Sequence, residues 1–181
     1  MKRRFGFTLI ELVVVLLVVS ILAVVAISKF INLSDDADRS QVAAVKASFA
    51  QAIDFSHFRW QTTNTNGPLN DLPDYAGGEL DMNAEGYPLG IDKNNPMGAP
   101  RNVGRGDAGC TSLWTTLLDN PPTVSLNNDA DYQAYRQRDS NGDRSICTFV
   151  YRANGDDAAP DSALLAIEYR SVDGTVTLIE N

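Results

Sequence analysis

Apolar positions are distributed along this chain in two very different patterns. From Phe7 to Ile27 the residues are apolar apart from Thr8, Glu11 and Ser20. At about 1.5 Å per helical residue, such a run spans roughly 30 Å, the thickness of a bilayer's hydrocarbon core. After Ile27 the pattern changes: Phe30, Leu33, Ala37, Val45, Phe49, Ala52, Ile53 and Trp60 recur mostly every three or four residues. Asp35, Asp36, Asp38, Arg39, Gln41 and Lys46 fall between them, giving one apolar and one wet face. No proline or glycine interrupts residues 7–66. The pattern predicts one long helix whose first half spans a membrane and whose second half, 29–61, packs on a globular head.

Farther on, the periodicity dissolves and then returns. Residues 62–109 are rich in turn signals, among them Asn66-Gly67-Pro68, Gly77-Gly78, Asn94-Asn95-Pro96 and Gly104-Arg105-Gly106, and are expected to form loops. Thr111 to Asn120 reads as a short helix capped by Thr111 or Ser112 and ended by Pro121-Pro122. Asp131 to Arg136 suggests another helical turn. Cys147, Phe149 and Tyr151 then alternate with Thr148, Val150 and Arg152, as in a strand. Two more strands, Ala163 to Ser171 and Thr175 to Ile179, flank Asp173-Gly174, a strong hairpin signal. The expected class is α+β, with a three- or four-stranded antiparallel sheet packed on the amphipathic half of the helix.

Residues 29–181 are enough for one domain with a real core. The chain holds 15 basic and 23 acidic residues, a formal charge of −8. Without Lys2, Arg3, Arg4 and Glu11, 12 basic and 22 acidic residues remain, or −10. That balance argues against a nucleic-acid partner or a polybasic membrane patch. The basic residues before the apolar run would keep residues 1–4 cytoplasmic and place the rest outside. The only two cysteines, Cys110 and Cys147, are then expected to form a disulfide. His57, the sole histidine, is too far away in sequence to suggest a shared metal site.

Glu11 is the residue that an ordinary anchor does not explain. An ionised acid at the centre of a membrane helix costs about 2.5–3.5 kcal/mol on insertion scales. A cleaved secretory signal is disfavoured too, because the apolar run is long and no A-x-A pattern follows it. The stretch Gly6-Phe7-Thr8-Leu9-Ile10-Glu11-Leu12 resembles the processing site of type IV prepilins, a family that includes type II secretion pseudopilins. The resemblance implies cleavage between Gly6 and Phe7 by a prepilin peptidase and N-methylation of Phe7. Glu11 would then meet the new amine of a neighbouring subunit during assembly, and Glu11→Val would insert normally but fail to assemble.

The same resemblance implies a leader at 1–6, a transmembrane and filament-core helix at 7–28, and an extracytoplasmic head at 29–181. The head would divide into the amphipathic helix 29–61, the loops 62–109, and a disulfide-bounded sheet region 110–181. It implies a pilin fold in which paired cysteines pin the last segment onto the sheet. The subunit would sit in the inner membrane and later in an extracellular filament, and its partners would be other pilin subunits and the inner-membrane assembly machinery. Phe55 and Phe58, off the main stripe, would widen the buried face or meet a neighbouring subunit. Ser20 and Ser28 stand where many pilins have glycine and proline, which puts melting of the helix on assembly in doubt. Glu85-Gly86-Tyr87-Pro88-Leu89-Gly90 and Lys29-Phe30-Ile31-Asn32-Leu33 resemble the mannose-sensitive haemagglutinin (MSHA) group.

Candidate chemistry is sparse. Asp139, Asn141 and Asp143 alternate as in a calcium loop, but Arg144 and Val150 occupy the positions where such a loop needs glycine and glutamate. A solvated turn is expected there. Gly104-Arg105-Gly106 lacks the spacing and preceding strand of a phosphate-binding loop. Asp35-Asp36 and Asp156-Asp157 are adjacent and point apart. No nucleophile motif, metal-spaced cluster or dinucleotide fingerprint is present. The reading is a structural filament subunit, not an enzyme, and it needs no cofactor. The alternatives are a secretion pseudopilin or, from another class, a single-pass anchored adhesin or sensor.

Overall fold

The computed structural model describes residues 7–63, 66–91, 93 and 100–181, with the backbone alone for Ser28, Phe30, Ile31 and Asn32. One helix, α1 (Leu9–Gln61), accounts for 53 of them. The chain divides within it, into a unit ending at Ser40 and a unit running from Gln41 to Asn181. In the first unit the side chains from Leu9 to Ile27 are all exposed. Its Val and Ile residues are mediocre helix formers in water. A hydrocarbon surrounding removes the competing water, so the backbone must satisfy itself within the helix.

The second unit builds a sheet and a hairpin around the rest of α1. In chain order its elements are β1 (Leu80–Met82), β2 (Pro88–Ile91), α2 (Gly109–Leu117), β3 (Val124–Ser125), β4 (Tyr132–Gln137), β5 (Ile146–Tyr151), β6 (Leu165–Arg170) and β7 (Val176–Glu180). β1 and β2 pair antiparallel, while β3-β4-β5-β6-β7 form a five-stranded sheet. That sheet is antiparallel except for β3, which runs parallel to β4. This is an α+β fold.

Phe49 of α1 is at the centre of the head's core. Its ring lies 5.6 Å from Trp114 of α2, 5.6 Å from Phe149 of β5 and 5.8 Å from Tyr169 of β6. Val42, Ile53 and Ala52 join it from the same helix face. The last turn of α1 is closed by Thr62, whose hydroxyl donates to Arg59 O at 2.6 Å.

Five expectations need correction. The segment Asp131–Arg136 is not helical: β4 buries Tyr132 and Ala134 and pairs along its whole length with β5. Residues 62–109 are not only loops, since β1 and β2 form a hairpin with buried side chains. Neither Thr111 nor Ser112 caps α2; Ala108 stands at that position, and the two hydroxyls donate back to Ala108 O and Gly109 O. On the amphipathic stripe Leu33 and Ala37 are exposed, and burial begins at Val42. Phe55 and Phe58 are also exposed, so they do not widen the buried face. Asn94-Asn95-Pro96 lies outside the described residues.

Candidate functional site

The segment that enters the apolar run has a defined geometry. Thr8 precedes the first helical residue, Leu9, and Glu11 is the third residue of the helix. The Thr8 backbone N–H donates to Glu11 Oε2 at 3.0 Å, and the Thr8 hydroxyl donates to the same oxygen at 2.8 Å. In return, Glu11 N–H donates to Thr8 Oγ1 at 3.3 Å. This is a capping box, the reciprocal arrangement that satisfies two backbone donors at a helix start. The signature Thr8-x-x-Glu11 stands in the sequence, beside the expected role of Glu11 between subunits. Within one chain it already has a partner. Both bonds to the Glu11 carboxylate use Oε2, and neither uses Oε1.

Phe7, just outside the helix, is 82% exposed. Gly6, the other half of the expected cleavage site, lies outside the described residues. Leu9–Ile27 forms a 19-residue stretch long and apolar enough to cross a membrane. Inside it, Ser20 Oγ donates to Leu17 O at 2.8 Å, so this serine is satisfied within its own helix.

The other expected residues lie in the head and are remote in role from the entry segment. Cys110 of α2 is bonded to Cys147 of β5 across a sequence separation of 37. Closing a loop of that length restricts the unfolded chain by about 4 kcal/mol on the entropy model. The bond pins α2 onto a central strand, not the last segment of the chain, because both strands after Cys147 are held by pairing.

Asp139, Asn141 and Asp143 come together in the turn between β4 and β5. Asp139 Oδ1 accepts from the backbone N–H of Asn141 and of Asp143, and Oδ2 accepts from Ser145 Oγ. The Ser145 bond, then these backbone donors and the charge of Arg101, hold the Asp139 carboxyl below its ordinary range, against a smaller opposing effect of desolvation. The carboxylate organises a turn. Among the described residues no group of three or more His, Cys, Asp and Glu side chains is arranged to hold a metal.

His57 is a structural wedge. Its ring stacks 4.6 Å from Tyr87 and 5.7 Å from Trp60. Nδ1 lies 2.8 Å from Gly86 O and Nε2 lies 2.8 Å from Gln61 Nε2, so the neutral ring donates at Nδ1 and accepts at Nε2. Gly86 adopts φ +81°, and a Cβ there would come 2.2 Å from Trp60. Only glycine fits on both counts. Gly104, at φ +58°, likewise lets its backbone approach Gly109, so in Gly104-Arg105-Gly106 the first glycine serves close packing, while Gly106 faces open space.

Comparison with known proteins bears on the entry segment first. Residues 1–27 match the prokaryotic N-terminal methylation motif. The chain is also similar to the type IV narrow pilus major component PilA5 of Thermus thermophilus, at 41% identity over 54 residues. That alignment covers 28% of this chain and 47% of the relative, about half of its length. No solved structure matches. The chain is type IV pilin-like in its apolar start and methylation motif, and its fold is α+β.

Proposed function

We propose that this chain is a structural subunit of a type IV pilus. The observation that carries the reading is the capped, wholly exposed apolar stretch Leu9–Ile27, contiguous with a methylation motif at 1–27. A head with a core of its own has no use for that surface, so something outside the single chain must cover it. In the membrane the cover is lipid; in a filament it is the helices of other subunits. Extraction then exchanges one apolar surrounding for another.

Cleavage between Gly6 and Phe7 by a prepilin peptidase would leave an amine at Phe7, which is then methylated. The capping box leaves Glu11 Oε1 available to a neighbour's amine, so the intersubunit pair would form without dismantling the start of the helix. Residues 1–6 would be the leader, 7–28 the anchor and filament core, and 29–181 the extracytoplasmic head. Before assembly the subunit would sit in the inner membrane, where the assembly machinery collects it. Within this reading the phrases at Glu85–Gly90 and Lys29–Leu33 favour an MSHA-type pilus, with surface adhesion as its use. Mass spectrometry of sheared filaments tests the proposal: the expected N-terminus is a methylated Phe7. A chain that still carries Met1 to Gly6, or that never appears in filaments, would sink it.

A further inference from the structure

Basic residues in the head are concentrated in one place. After Gln61 the chain has eight basic and eighteen acidic residues. Five of the eight, Lys93, Arg101, Arg136, Arg138 and Arg144, gather where the loop before α2 meets the β4–β5 turn. Arg136 Nη1 donates to Val103 O at 2.9 Å, Val103 N–H donates to Arg144 O at 2.9 Å, and Arg144 N–H donates to Asn102 Oδ1 at 2.7 Å. The acids Asp81, Asp107, Asp139 and Asp143 lie with them.

These acids neutralise the cluster incompletely. Asp107 is shared, 3.5 Å from Arg136 and 3.3 Å from Arg144, and is 73% exposed. Asp139 accepts from Ser145 and turn backbone and offsets the charge of Arg101, but four acids stand against five cations. The Arg136 side chain is only 8% exposed, and its Nε is buried with no hydrogen-bond partner among the described residues. Burial, followed by repulsion from Arg144, pulls the Arg136 guanidinium below its ordinary pKa. Cations are crowded here in a chain that is otherwise strongly acidic.

A chain of formal charge −8 repels copies of itself. Beyond the apolar stretch, contact between copies is therefore favoured where the charges attract. The chain carries a matching strip of the opposite sign: Asp35-Asp36-Ala37-Asp38 places three acids in four residues of α1, with Asp35 and Asp36 exposed. The two surfaces do not overlap in the chain. A contact between them is heterologous, leaving each copy with one unused surface of each kind, and such contacts propagate into open filaments when the rotation does not close.

We propose that Arg101, Arg138 and Arg144, with the buried Arg136 behind them, form the docking surface for the Asp35–Asp36 segment of a second copy of this chain. The inference rests on the reading of the chain as a filament subunit. Charge reversal in the full chain, expressed with pilus assembly machinery, tests it through the yield of sheared filaments. Arg138→Glu with Arg144→Glu, and separately Asp35→Arg with Asp36→Arg, should each lower the yield by about ten-fold or more. Combining all four reversals should restore it. The aspartates stand exposed on a helix, so their reversal carries the test even where the arginine pair disturbs the head. Wild-type yield from the aspartate reversal, or no recovery in the four-fold variant, would overturn the docking contact and leave the filament reading intact. No filaments from the unaltered chain would overturn both.

Discussion

Leu9–Ile27 and the unit from Gln41 to Asn181 use the same kinds of side chain to opposite ends. Leu9 is 81% exposed and Val24 73%, whereas Phe49, Ile53 and Trp114 are completely buried. Burial of each such side chain is worth about 1.5–3 kcal/mol. In the head that gain is realised within one chain, and it is spent on stability. In the apolar stretch, on the proposed reading, it is realised only against lipid or other helices, so it is left for location and assembly. The head should thus respond to mutation as a folded domain does, and the stretch as an interface does.

Glu11 gives the sharpest way to break that contrast, because it belongs to an intrachain cap and to a proposed contact between chains. Glutamine can complete a capping box as glutamate does, but it carries no charge. Glu11→Gln is expected to keep the Thr8 bonds, insert normally and yet fail to appear in sheared filaments. A buried amine left without its partner costs about 3–5 kcal/mol. Glu11→Val loses both functions. Filaments from the Gln variant at wild-type yield would reduce Glu11 to a helix cap and remove its role between subunits.

On the head's side of the contrast, Phe49→Ala is expected to lower stability by about 3–5 kcal/mol, through lost burial and the cavity left between Trp114, Phe149 and Tyr169. Trp114 reports on that site directly, so its fluorescence during guanidinium unfolding in detergent measures the change. Membrane insertion should be unaffected. A variant that unfolds at the wild-type midpoint would mean the core is not centred on this ring.

The sequence was most legible where one periodicity persists over many residues. The unbroken apolar run and the three-to-four spacing of Phe49, Ala52 and Ile53 both announced α1, and the alternation at Cys147–Tyr151 announced β5. It was least legible where long-range pairing decides. Asp-Tyr-Gln-Ala-Tyr-Arg at 131–136 contains good helix formers, and only the pairing of Tyr132 with Tyr151 and of Ala134 with Phe149 makes it a strand. The stack of Trp60, His57 and Tyr87 joins residues far apart in the chain and leaves no local pattern. At the entry segment the Thr8-x-x-Glu11 signature was readable. The same acid inside an apolar run also calls for charge neutralisation, and the sequence alone does not separate that from a capping role, which asks only for hydrogen bonds.

The smallest expected effect tests how completely the head closes on itself. Tyr132 packs its ring 4.8 Å from Trp114 and 5.4 Å from Tyr151, but its buried hydroxyl has no hydrogen-bond partner among the described residues. Burial, then the neighbouring Tyr151 and Asp131, pushes its ionisation above the ordinary tyrosine range, so the group stays neutral. Tyr169 is buried as well, but its hydroxyl donates to Pro88 O at 2.7 Å. Leaving a hydroxyl unbonded in the interior costs about 1–3 kcal/mol, while a satisfied bond contributes about 1 kcal/mol. Tyr132→Phe should therefore leave the unfolding midpoint unchanged or raise it, and Tyr169→Phe should lower it. The reverse order would show that the Tyr132 hydroxyl is bonded in solution, and that this side of the core, unlike the ring of Phe49, is not sealed by the chain alone.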